Sequence, residues 1–244
     1  MTIRVFDTAA NVARALADRV AAALSDMPTL VLGLAAGRTP VDAYAELMAG
    51  AAAGAVDFSR ATSFNLDEFV GVAPDHPGSF RRFMREHFFR GVNLDPSRIQ
   101  SLDGTAADLD AECARYESAI AAAGGIDVQV LGIGTNGHIG FNEPGTELVA
   151  RTHRVRLADA TREDNAALFG GDPSAVPAEA LTMGVGTILQ ARAIVVAATG
   201  ARKAEVVARA IRGPITTQLP ASLLQLHQSV EIYLDRTAAS KVPL

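Results

Sequence analysis

The sequence predicts an α/β fold, a single doubly wound and mostly parallel sheet with helices on both faces. Three observations predict it. Short apolar runs at Thr29–Leu34, Ile126–Leu131 and Ala193–Ala198 read as strands covered on both sides. Between them lie stretches with apolar residues three and four apart, the period of a helix with one buried face. Glycines stand where the strands end, as strand-to-helix turns require. The alternation continues over the chain without a repeat or a linker, so residues 1–244 read as one domain.

Taken in order, Thr2 to Phe6 is a short strand. Asp7 is placed to cap a helix carrying the stripe Val12, Leu16, Val20 and Leu24. Thr29–Leu34 runs into Gly33-Leu-Ala-Ala-Gly37-Arg38-Thr39-Pro40, where Thr39 suits a helix cap and Pro40 a first turn. Ala61–Asn65 is a third strand leading to Asp67 and Glu68, two carboxylates that stand where such sheets place ligands and that would equally serve as an acidic helix cap. Phe80, Phe83, Met84, His87 and Phe88 follow helical spacing, so His87 belongs to a helix face. Leu109–Ile120 is another amphipathic helix, closed by Gly124-Gly125. Ile126–Leu131 then feeds Gly-Ile-Gly-Thr-Asn136-Gly-His138-Ile-Gly-Phe-Asn-Glu143-Pro144. From Gly145 to about Ala180 periodicity fades, and a lid over about 146–180 is expected beside a site. A helix near Leu181–Leu189, the strand Ala193–Ala198, a helix at Arg202–Ile211, a short helix at Pro220–Leu226 and a last strand at Val230–Leu234 complete the reading.

Composition excludes several classes. The formal charge of −5 and the lack of a long basic run argue against nucleic acid or an anionic membrane as partner. One cysteine, Cys113, precludes an internal disulfide or a cysteine-rich metal cage, and its helical spacing with Leu109, Tyr116 and Ile120 marks a buried thiol. No apolar run reaches the ~20 residues of a bilayer span, and no signal-peptide pattern opens the chain, so a cytoplasmic protein is expected.

The polar groups gather at strand ends. In a parallel sheet those ends share one edge, so Gly37–Thr39, Asp67–Glu68, Asn136–Glu143 and Lys203 can converge on one pocket. A glycine loop alone serves many turns. Gly37, Arg38 and Thr39 at a helix start nevertheless offer backbone N–H groups, a guanidinium and a hydroxyl to a phosphate, and Lys203 at another helix start would be relieved by an anion. Asp67 suits a base that removes a proton next to a carbonyl or imine. An imidazole such as His138 exchanges protons near neutral pH, and Glu143 can orient it. No nucleophile motif accompanies His138, and His138 with Glu143 matches no zinc spacing, so metal is not expected. The set suits proton transfer on a small polyol or sugar.

Phe64-Asn-Leu-Asp-Glu-Phe-Val-Gly71, His76-Pro77, Leu131 to Pro144, Gly200 to Lys203 and Leu219-Pro-Ala-Ser222 resemble, in the same order, the signature segments of the glucosamine-6-phosphate deaminases. The related 6-phosphogluconolactonases share the fold but typically lack Phe-Asn-Glu-Pro. The resemblance implies a modified Rossmann-like fold. It also implies an isomerising deamination of glucosamine 6-phosphate to fructose 6-phosphate and ammonia, without cofactor or metal. Asp67 would move a proton from C2 to C1, His138 would open the pyranose, and Glu143 would support His138. A sugar phosphate is the partner expected, and hexameric relatives leave a homo-oligomer open. A different phosphorylated or acidic amino sugar, or lactone hydrolysis, are the alternatives.

Three positions depart from the family pattern. Asn136 stands where many members have aspartate and a bacterial subgroup has asparagine. The glycine loop, usually Thr-Gly-Ser/Gly-Thr-Pro, reads Ala36-Gly37-Arg38-Thr39-Pro40. The lid arginine that meets the substrate phosphate aligns with Ala167, so Arg38 is expected to replace it from the rigid loop. His153 and Val155 also stand at two basic positions of the hexamers' allosteric site, so activation by N-acetylglucosamine 6-phosphate is not expected.

Overall fold

The computed structural model describes residues 1–243. Its strands and helices are β1 (Thr2–Phe6), α1 (Ala9–Asp26), β2 (Val31–Leu34), α2 (Arg38–Ala52), β3 (Thr62–Asn65), β4 (Asp67–Phe69), α3 (Phe80–His87), β5 (Ile99–Gln100), α4 (Leu109–Ala122), β6 (Val128–Leu131), β7 (His153–Arg156), α5 (Asp159–Asn165), β8 (Glu179–Thr182), α6 (Val185–Leu189), β9 (Ala193–Ala198), α7 (Ala204–Arg212) and β10 (Val230–Asp235). Short 3₁₀ turns fill Ala201–Lys203 and Pro220–Leu226.

The main sheet has the order β1-β10-β9-β6-β2-β3-β5 and is parallel throughout. Its middle strands β2, β6 and β9 are buried almost throughout and, apart from Gln129, carry no polar side chain, because both faces are covered. One face packs on α1, α2 and α3 through residues such as Leu16, Tyr44 and Met84. The other packs on α4, α6 and α7 through Tyr116, Ile188 and Val207. Cys113 is buried in that second layer, and burial pushes its thiol up to about 11. No helix among the described residues is long and apolar enough to cross a membrane.

The chain after β2 crosses to β3, and the chain after β6 crosses to β9 on the other side. Between β2 and β6 the loops therefore diverge, which opens a crevice at the carboxyl ends of the strands.

Several local expectations change. Thr8, not Asp7, caps α1: its hydroxyl accepts the N–H of Asn11. Gly37, not Thr39, is the N-cap of α2, with φ of 117°, where a side chain would be strained. The 146–180 region is not irregular. It holds β7 and α5, and β8 runs through Thr182, so Leu181 is in a strand and the helix expected from it begins at Val185. β4, β8 and β7 form a second, three-stranded antiparallel sheet. Strands of three and four residues, one pair joining Asp67 to Thr182, leave no local period to read.

Candidate active site

The ends of four adjacent strands, β9, β6, β2 and β3, line one recess of about 180 Å³. From β2 come Gly37, Arg38 and Thr39, at the start of α2. The chain after β3 brings Asp67, the loop after β6 brings Gly134, Thr135 and His138, and the turn after β9 brings Arg202 and Lys203. Two buried tyrosines pin the loops: Tyr44 donates to the carbonyl of Ala35 (2.7 Å), and Tyr116 to that of Asn65 (2.6 Å).

Asp67 is 7% exposed. Burial, then the adjacent Glu68 carboxylate, raise its pKa well above the ordinary range, which makes it a stronger base once ionised. Glu68 takes no part in the recess. It turns away to accept the backbone N–H groups of Phe69, Phe80 and Arg81 and the hydroxyl of Ser79, so it caps α3 and fixes β4.

His138 Nδ1 lies 3.7 Å from Glu143 Oε2 and 3.3 Å from the hydroxyl of Thr161. That is an electrostatic buttress on one side of the ring, and Nε2 is left without a protein partner among the described residues. Glu143 sits behind the imidazole, outside the recess. Its burial raises its pKa, but His138, Thr161 and Asn136 outweigh this and the net shift is downward, so it stays anionic. Asn136 also lies behind. Its Nδ2 donates to Glu143 Oε2 (2.8 Å), and its Oδ1 accepts the His138 N–H (3.1 Å). An aspartate there would set two carboxylates against each other, whereas asparagine donates to the one that must stay charged.

Gly134 is the seat of the imidazole. A Cβ added there would lie 2.3 Å from His138 Cε1 and 2.4 Å from Nδ1. Gly134→Ala should therefore displace the ring and lower kcat roughly tenfold to a hundredfold while KM changes little, since a shift of about 1 Å in a reacting group costs on that order. Steady-state kinetics checks it; an unchanged kcat would show that the ring position is not critical.

The cations form a second group. Burial lowers the pKa of Lys203, Asp164 opposes that, and Arg202 and Arg38 add to it. Three cations and the N-terminus of α2 thus face one end of the recess, where an anion would relieve their repulsion. Arg202 escapes sequence reasoning because nothing separates it from an ordinary solvated arginine beside Lys203. Thr161, Asp164 and Asn165 were inside the expected lid but without individual signals. α5 carries Asp164 and Asn165 into the recess wall, and Thr135 donates to Asp164 (2.8 Å). Ala167 is exposed and outside the recess.

A buried carboxylate and a buttressed imidazole thus lie beside a cation-lined recess, an arrangement suited to acid–base chemistry next to an anion. Comparison with known proteins narrows the class. The profile of the family described as "Glucosamine-6-phosphate isomerases/6-phosphogluconolactonase" matches residues 6–233. Glucosamine-6-phosphate deaminase 2 of Bacillus subtilis is 48% identical over 87% of this chain and 86% of its own. The Beutenbergia cavernae glucosamine-6-phosphate deaminase is 45% identical over 100% and 94%. The solved structure of a monomeric glucosamine-6-phosphate deaminase superposes with a TM-score of 0.95 at 41% identity, covering 99% of this chain and 100% of that one. A 6-phosphogluconolactonase from Trypanosoma brucei shares the fold, with a TM-score of 0.77 at 23% identity, over 99% and 98% of the two chains. The chain belongs to the glucosamine-6-phosphate isomerase/6-phosphogluconolactonase family.

Proposed function

We propose that this enzyme converts D-glucosamine 6-phosphate and water to D-fructose 6-phosphate and ammonia. The observation that carries the reading is that Asp67 and His138 line the same recess as Arg38, Arg202 and Lys203. The reaction begins from the pyranose. His138, through the ring nitrogen not engaged by Glu143 and Thr161, handles the proton of the ring oxygen as the ring opens. Asp67 removes the C2 proton of the open-chain aldehyde, giving an enolamine, and returns it to C1. The resulting C2 imine takes up water, and ammonia leaves to give the ketose. Each step is a proton transfer or a hydration, so the residues at the site suffice for the atom balance.

Glu143 and Asn136 act as positioning residues for His138. Gly37, Arg38, Thr39 and Lys203 hold the phosphate, with Arg202 beside them. The segment 146–180 serves as the lid, because α5 already borders the recess. A sugar-phosphate substrate supports a cytoplasmic location, where such metabolites are kept.

The deciding assay supplies glucosamine 6-phosphate and scores ammonia and ketose together. Release of both in equal amounts supports the proposal; hydrolysis of 6-phosphogluconolactone with no ammonia from the amino sugar would replace it with the lactonase reading. Arg38→Ala should raise KM roughly tenfold to a hundredfold with a smaller change in kcat, since a hydrogen bond to a charged group contributes about 1.5–3 kcal/mol. An unchanged KM would reject Arg38 as the substitute for the missing lid arginine.

A further inference from the structure

A second cavity of about 600 Å³ lies away from the recess, bounded by α3, the edge strand β5 and α4. Three arginines line it: Arg81 and Arg85, one turn apart on α3, and Arg115 on α4. We propose that this cavity is an anion-binding site for a small phosphorylated metabolite, held by the guanidiniums of Arg81, Arg85 and Arg115.

Two carboxylates, Glu112 and Asp103, also line the cavity. Glu112 is buried and fully engaged. It takes Nε and Nη2 of Arg115 at 2.6 and 2.7 Å and the backbone N–H of Asp103 at 2.9 Å. Asp103 Oδ1 accepts the N–H and hydroxyl of Thr105. Arg115 is thereby fixed in place, with its Nη1 free of protein partners among the described residues. Arg81 and Arg85 make no ion pair among the described residues. Three guanidiniums thus face two carboxylates around a common space. Asp103 is held below the usual range by Thr105 and further by Arg81 and Arg115, and the balance leaves a net positive lining for an anion. The planar guanidinium forks match the oxygens of a phosphate. Phe89, Pro96 and Ile99 add an apolar stretch of wall for a carbon skeleton, Gln100 and Ser101 complete the lining, and the volume is that of a small-molecule site.

The cavity is separate from the active recess, yet the two share the first turn of α3. The Arg81 N–H donates to Glu68 (2.9 Å), the capping carboxylate next to Asp67, and Phe80 lines the recess.

Calorimetric titration with inorganic pyrophosphate tests the site without reference to turnover. The wild-type chain should bind at two sites. Arg81→Ala/Arg85→Ala should weaken one of them at least about tenfold and leave the other, while Arg38→Ala should weaken only the other. The thermal midpoint of the double variant should stay near that of the wild type, because both side chains are exposed. Should that variant fold poorly, Arg85→Glu alone is expected to produce the same selective loss. A single site in the wild type, or two sites that survive both Arg81→Ala/Arg85→Ala and Arg85→Glu, would overturn the proposal.

Discussion

Asp67→Asn should lower kcat for ammonia release about a thousandfold, within the range a positioned general base contributes, while KM stays close to the wild-type value. Asparagine keeps the shape and polarity of the side chain but cannot accept the C2 proton. Asp67 is buried and faces the neighbouring Glu68 charge, so its raised pKa has two consequences. The first is kinetic. The base works only when ionised, so the acid limb of kcat/KM should sit above the ordinary carboxylate range and should vanish from the residual activity of the asparagine variant. The second is thermodynamic. A carboxyl whose folded pKa lies above its unfolded value of about 3.9 adds stability that is complete below that value and is lost as pH rises through the folded pKa. Asparagine has no such titration. The variant should therefore gain on the wild type as pH rises, until Asp67 is fully ionised. Chemical denaturation at a series of pH values measures this. A variant with near-normal kcat would remove Asp67 from catalysis. A stability difference that does not change with pH would show that burial does not penalise its charge.

Much of this arrangement is legible in the sequence because it is local. The run from Val130 to Pro144 declares a buried strand, a glycine turn, an imidazole and a carboxylate in one stretch, and the structure keeps them together around Gly134. The parallel sheet is legible for the same reason: each of its middle strands is a short apolar run beside a glycine. What is hidden depends on contacts between distant residues. Glu68 reads either as a partner of Asp67 or as an ordinary helix cap, and only the fold decides for the cap: its four donors come from Ser79, Phe80, Arg81 and its own neighbour Phe69, set by where α3 begins. β7 and β8 have four residues each and take their pairing from one another and from β4, so Leu181 to Leu189 looks like one helix when its first two residues end a strand and the helix starts only at Val185. The same holds under α5. Phe69, Phe80 and Phe141 pack with Phe169, and that aromatic cluster anchors a segment whose own sequence is mostly polar.

His138→Asn should be the other severe lesion, lowering kcat by about a hundredfold to ten-thousandfold, and its effect should not add to that of Glu143→Gln. Glu143 is outside the recess, and its partners lie around the back of the imidazole: Asn136 at 2.8 Å, the backbone of Ala158 at 3.3 Å, His138 Nδ1 at 3.7 Å, and the Thr161 hydroxyl. Glu143→Gln on its own should therefore lower kcat by a smaller factor and leave KM unchanged, because the imidazole keeps its place in the recess but loses the carboxylate that orients it. On the His138→Asn background, Glu143→Gln should change nothing further. Stability gives an independent reading. Burial raises the Glu143 pKa, but its contacts with His138, Thr161 and Asn136 bring it below its usual value. A carboxylate depressed in this way adds stability that is present above its unfolded pKa of about 4.3 and is lost as pH falls through the folded value. The glutamine variant should lack that acid-side loss. If the two substitutions instead multiply in kcat, Glu143 acts on the substrate in its own right, and the relay drawn through Nδ1 is the wrong account of how this imidazole is set to work.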